Sequence, residues 1–72
     1  MDKNLDLLIS ENIKKEIEQS GLKKSEIAQA VGVSRATVSQ YLSGRAQPTL
    51  ATFAKLCVAL DCSADDILNL KN

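Results

Sequence analysis

The stretch IAQAVGVSRATVSQYL, residues 27–42, places a glycine between two short helical segments and so restricts the angle at which they meet. Ile27 and Val31 stand one helical turn apart and share a face. Gly32 is a poor helix former that accepts positive φ, so it closes the first segment. Ser34 is a favoured N-cap and opens the second segment at once. Two helices joined by so tight a turn pack close to perpendicular. That packing asks for a small residue where they approach, which Ala28 supplies, and for apolar residues at the contact, which are Ile27, Val31, Val33, Val38 and Tyr41. The outward positions of the second segment, Arg35, Ala36, Ser39 and Gln40, are short or amide-bearing with one guanidinium. A merely solvated helix face would carry Glu and Lys there.

The rest of the chain predicts helices to pack against this pair. Leu5, Ile9, Ile13 and Ile17 recur at every fourth position, which predicts an amphipathic helix from Leu5 or Leu8 to Gln19, stopped by Ser20-Gly21. The second helix is expected from Lys24 to Gly32. The third runs from its cap Ser34 to a stop at Gly44, with Val38 and Tyr41 or Leu42 facing inward. RAQP at 45–48 is a turn, and Pro48-Thr49 opens a fourth helix with Thr49 as its cap. Leu50, Phe53, Ala54, Cys57, Val58 and Leu60 give that helix a broad apolar face, so it is expected to be the most buried. Asp61 holds a helix-end position where Gly or Asn is easier. Ser63 to Asp66 reads as a capping box with Asp in place of Glu, opening a short last helix with Ile67, Leu68 and Leu70. The fold class is all-α, five short helices on one core, in a single domain over residues 1–72.

Several functions are disfavoured. No segment approaches the roughly 18 apolar residues of a membrane span, and MDKNLDLL has no signal-peptide core, so a cytoplasmic protein with no membrane partner is expected. There is no His, and the two cysteines, Cys57 and Cys62, fit no common zinc spacing, so neither metal nor cofactor is expected. The cysteines read as small buried or half-buried hydrophobes, with a redox switch as the alternative. No nucleophile stands beside a base and no glycine-rich phosphate loop is present. So small a chain leaves little room for a pocket, and no catalytic residue, enzyme activity or small-molecule ligand is expected. The formal charge is zero overall but uneven: residues 1–22 carry −2, residues 23–45 carry +3 and residues 46–72 carry −1. The basic third contains the glycine-centred pair of helices.

A helix, a tight turn at a glycine and a second helix at a large angle form a helix-turn-helix, here at about residues 24–43. Residues 22–63, LKKSEIAQAVGVSRATVSQYLSGRAQPTLATFAKLCVALDCS, resemble the phage repressor and Cro type of helix-turn-helix, the Xre-like family. The pieces that carry the resemblance are EIAQAVGVSRATVSQYLSG, the loop RAQPT, and LATFAKLCVALDCSADDIL. The resemblance implies a compact five-helix, repressor-like domain that binds operator DNA as a dimer and regulates transcription. Its partner is then double-stranded DNA.

In such a fold the helix over residues 34–43 lies in the major groove with its N-terminal residues at the base edges. The expected base contacts are Ser34, Arg35, Ala36, Ser39 and Gln40. Arg35 suits guanine O6 and N7, Gln40 suits adenine N6 and N7, and Ala36 suits a thymine methyl. The expected phosphate contacts are Lys23 and Lys24 ahead of the pair, and Ser43, Arg45, Gln47 and Thr49 beyond it. The family often has a Ser or Thr cap where Lys23 stands and a Gln where Lys24 stands, so the second helix is expected to be poorly capped. A phosphate arriving there meets free amides and two ammonium groups. A homodimer through the C-terminal helix, using Ile67, Leu68 and Leu70 with the loop before Pro48, would read an inverted repeat with half-sites about 34 Å apart. The competing reading is a protein-interaction or antitoxin-like module of the same fold, consistent with the zero net charge and the acidic last helix.

Overall fold

The computed structural model describes residues 3–68, and these form α1 (Lys3–Ser20), α2 (Lys24–Val31), α3 (Arg35–Ser43), α4 (Leu50–Leu60) and α5 (Ala64–Leu68). The order and number match the helices expected from sequence. Capping chemistry sets most of the boundaries. Ser34 Oγ accepts from Thr37 N–H at 3.1 Å and starts α3, and Thr49 Oγ1 accepts from Thr52 N–H at 3.2 Å and starts α4. Ser63 Oγ accepts from Asp65 N–H at 3.1 Å and starts α5. At the other ends, Gly32, Gly44 and Asp61 take left-handed φ of 82°, 79° and 52° and turn the chain out of α2, α3 and α4.

Every helix contributes to one core. Ile13 and Ile17 come from α1, Ile27, Ala28 and Val31 from α2, Val38 and Tyr41 from α3, Leu56 and Leu60 from α4, and Ile67 from α5. Helix α1 packs on α3, α4 and α5, while α2 packs on α3 and α4, so α2 and α3 are braced from both sides. One polar tie and one close contact hold α1 to its neighbours. Asn12 Nδ2 donates to the Ile67 carbonyl at 2.9 Å, holding α5. Ser10, the buried polar residue in a run of Leu and Ile, lies against Gly44, where an added Cβ would touch Ser10 Cβ at 3.7 Å.

Four expectations need correction. Helix α1 starts at Lys3 rather than at Leu5 or Leu8, and its apolar row is buried only at Ile13 and Ile17, with Leu5 43% exposed. The helix outruns the body it packs on. Helix α2 stops at Val31, since the positive φ of Gly32 cannot continue a right-handed helix. Helix α4 is not the most buried element: Leu50 is 87% and Val58 83% exposed, whereas Leu56, absent from the expected face, is fully buried. Residues 53, 56, 57 and 60 share the inward side, with 54 and 58 opposite. Finally, Ile67 is wholly buried in the protomer and so is not free to meet a second copy. Leu70, named with it, lies outside the described residues. Among the described residues no helix is long and apolar enough to cross a membrane.

Candidate nucleic-acid interface

The burial of Val38 and Tyr41 decides which side of α3 faces out. With those two against the core, Arg35, Ala36, Gln40 and Ser43 are exposed and Ser39 is half-exposed, one continuous strip along the helix. Ser34 stands exposed at its start. Its hydroxyl caps the helix and pairs with Thr37 Oγ1 at 2.9 Å. The strip has no carboxylate, and its side chains are short apart from Arg35 and Gln40. A rod of this kind can approach a polyanion closely and present one guanidinium and one amide to hydrogen-bonding edges.

Helix α2 packs on α3, and its start is exposed. Lys23 is the N-cap residue with extended backbone, φ −77° and ψ 155°. A lysine side chain carries no acceptor, so the first-turn amides of Lys24, Ser25 and Glu26 receive no side-chain cap. Glu26 supplies the reverse half of a capping box: its Oε1 accepts from Lys23 N–H at 2.8 Å. The helix start therefore combines uncapped amides with the exposed ammonium groups of Lys23 and Lys24. Glu26 is the counter-charge in that turn, and the sequence reading gave it no role.

The turn at 44–49 follows the end of α3. Arg45 N–H and Gly44 N–H bond back to the carbonyls of Gln40 and Tyr41 at 3.0 and 3.3 Å, so the backbone there is fixed. Among the described residues Lys23, Lys24, Arg35 and Arg45 are all exposed, and none is held in an ion pair. The neutral residues named with them are differently placed. Ser43 Oγ donates to the Gln40 carbonyl at 3.2 Å, and Thr49 Oγ1 donates to Thr52 Oγ1 at 3.0 Å. Gln47 Nε2 donates to the Asp6 carbonyl at 3.0 Å and lies 3.5 Å from Ser10 Oγ, tying the turn to α1. The donors of all three are in use inside the protomer, so Gln47 in particular is an anchor for the loop. Sequence alone gave no sign of this tie beyond a serine beside the apolar row of α1.

A family model described as helix-turn-helix matches residues 13–67. No curated protein and no solved structure gives a significant match.

Proposed function

The chain belongs to the helix-turn-helix family, of the Cro/C1, Xre-like type that binds DNA and regulates transcription, and from that premise we propose that it is a repressor reading the major groove with α3. The observation that carries the reading is the outward strip of α3, exposed over buried Val38 and Tyr41, with exposed Arg45 just beyond its end and exposed Lys23 and Lys24 at the start of α2, none of them ion-paired among the described residues. Arg35 and Gln40 read base edges, with Ser34, Ala36 and Ser39 allowing close approach. Lys23, Lys24 and Arg45 neutralise phosphates, and the α2 amides add a dipole-aligned contact. Ser43, Gln47 and Thr49 act at the same backbone mainly by shaping it, and each adds a direct contact only by exchanging its internal bond.

The protein acts as a dimer on an inverted repeat. Support comes from an apolar recess of about 150 Å³ in which Leu68 of α5, one of the residues named for a second copy, meets Pro48, Leu50 and Phe53. A partner-binding role for the same fold has one observation in its favour, the 83% exposure of Val58 beside an apolar recess between α2 and α4.

Selection of bound sequences from random duplexes, followed by titration of two variants, tests the proposal. Arg35→Ala should lose about 1–3 kcal/mol of discrimination at one base pair, and Lys24→Ala should weaken all sequences alike. If neither variant changes binding, α3 is not the reading helix.

A further inference from the structure

The end of α4 carries chemistry that DNA binding does not use. Cys62 N–H donates to the Cys57 carbonyl at 3.0 Å, and Asp61 N–H donates to the Val58 carbonyl at 3.2 Å. With Asp61 left-handed at φ 52°, this is a Schellman closure, in which the fourth-last residue of α4 and the second residue beyond its end are brought together. An apolar pair ordinarily fills those two positions. Here both are cysteines, both free and half-buried, and their thiols interact directly. The peptide hydrogen bond between the two residues holds their backbones side by side, the close approach that a disulfide needs.

We propose that Cys57 and Cys62 form a reversible intramolecular disulfide that clips the corner between α4 and α5. The oxidant is a low-molecular-weight disulfide. The Cys57 thiol gives up its proton, and its sulfur attacks one sulfur of the oxidant, releasing one thiolate and leaving a mixed disulfide. The Cys62 thiol then loses its proton and attacks Cys57 Sγ, releasing the second thiolate. The two protons end on the released thiols, and the two electrons lost by the cysteine pair reduce the oxidant. Cys57 goes first because burial pushes its thiol up while its neighbour Cys62 offsets part of that push. Burial, with Cys57 and the carboxylates Glu16 of α1 and Asp66 of α5 facing it, pushes the Cys62 thiol up to about 11. Exchange is therefore slow near neutrality and quickens as the pH rises toward that value.

The test equilibrates the whole chain with graded ratios of reduced to oxidised glutathione, once folded and once in concentrated urea. Alkylation and mass spectrometry then count bridges. The folded chain should lose the mass of two hydrogens, stay free of glutathione adducts, and hold the bridge about tenfold or more tightly than the urea-unfolded chain, roughly 30 mV in potential. Cys57→Ser and Cys62→Ser should each retain one glutathione adduct, and the adduct should form faster on Cys57 than on Cys62. A folded-state bridge no tighter than the unfolded one overturns the proposal. So does a folded chain that accumulates glutathione adducts or cross-linked pairs of chains.

Discussion

Lys23 is an unusual residue to find at a helix start. The starts of α3, α4 and α5 carry Ser34, Thr49 and Ser63, each with its hydroxyl on a first-turn amide, whereas Lys23 offers α2 no acceptor and places a cation at the positive end of the dipole. Lys23→Ser would complete the capping box whose other half, Glu26 on the Lys23 amide, already exists. It should raise stability by about 1 kcal/mol, or about 4–8 °C in Tm for a chain of this size. The same change should weaken DNA binding at low salt for every sequence alike, because a charge is lost and an amide is occupied. Thermal melts and titrations on specific and unrelated duplexes check both halves. Higher stability with unchanged affinity would remove Lys23 from the phosphate contacts. The outward residues of α3 were legible in the sequence, because burying Val38 and Tyr41 at helical spacing leaves only one other side. The commitments of Ser43, Gln47 and Thr49 were not. Composition tells that a residue can donate, but the acceptor for Gln47 is the carbonyl of Asp6 on α1, a partner that only the folded chain supplies.

Four helices end through one device, a left-handed residue one step beyond the last turn, and three of the four use glycine. Asp61 does the same work with a Cβ and with a negative charge at the negative end of α4. Asp61→Gly should therefore stabilise the protein by about 0.5–1 kcal/mol, visible as a higher urea midpoint with an unchanged slope. A lower midpoint would mean that the carboxylate has a structural role. Helix α4 also shows where reading from sequence fails. Its apolar residues go nearly all the way round, so periodicity cannot choose a face, and Leu56 was passed over in favour of Leu50 and Val58. The choice is made by where α1 and α2 lie, since those are the helices α4 packs on. Helix number, order and caps were legible because they depend on neighbouring residues. Burial within an all-apolar helix was not, because it depends on distant ones. Truncation separates the two faces. Leu56→Ala should cost about 2–5 kcal/mol, and Val58→Ala should stay within about 0.5 kcal/mol of wild type. Equal losses in chemical denaturation would show that Val58 is covered in solution.

The whole molecule is neutral, yet Lys23, Lys24, Arg35 and Arg45 all fall within one third of the sequence and none is paired among the described residues. Neutrality keeps non-specific attraction to DNA weak. The local excess keeps attraction strong only when α3 is seated in a groove and α2 and the 44–49 turn reach the flanking phosphates. Salt dependence measures how many such contacts form at once, because each neutralised phosphate releases a condensed counterion. One phosphate contact each from Lys23, Lys24 and Arg45 would give one protomer a slope of about −2.7 in log K against log salt, and two protomers about −5.4. Raising salt from 50 to 200 mM should then lower affinity about 40-fold for one protomer and about 2000-fold for a pair. Titrating a single half-site and a full inverted repeat over that range distinguishes the cases without assuming where the two copies touch. A doubled slope on the repeat requires both protomers to be engaged. The same slope on both duplexes means the protein reads DNA as a monomer, and the recess by Leu68 and Leu50 then needs another explanation. A slope near zero on either would mean that the cations face solvent in the complex, which is what the partner-binding reading requires.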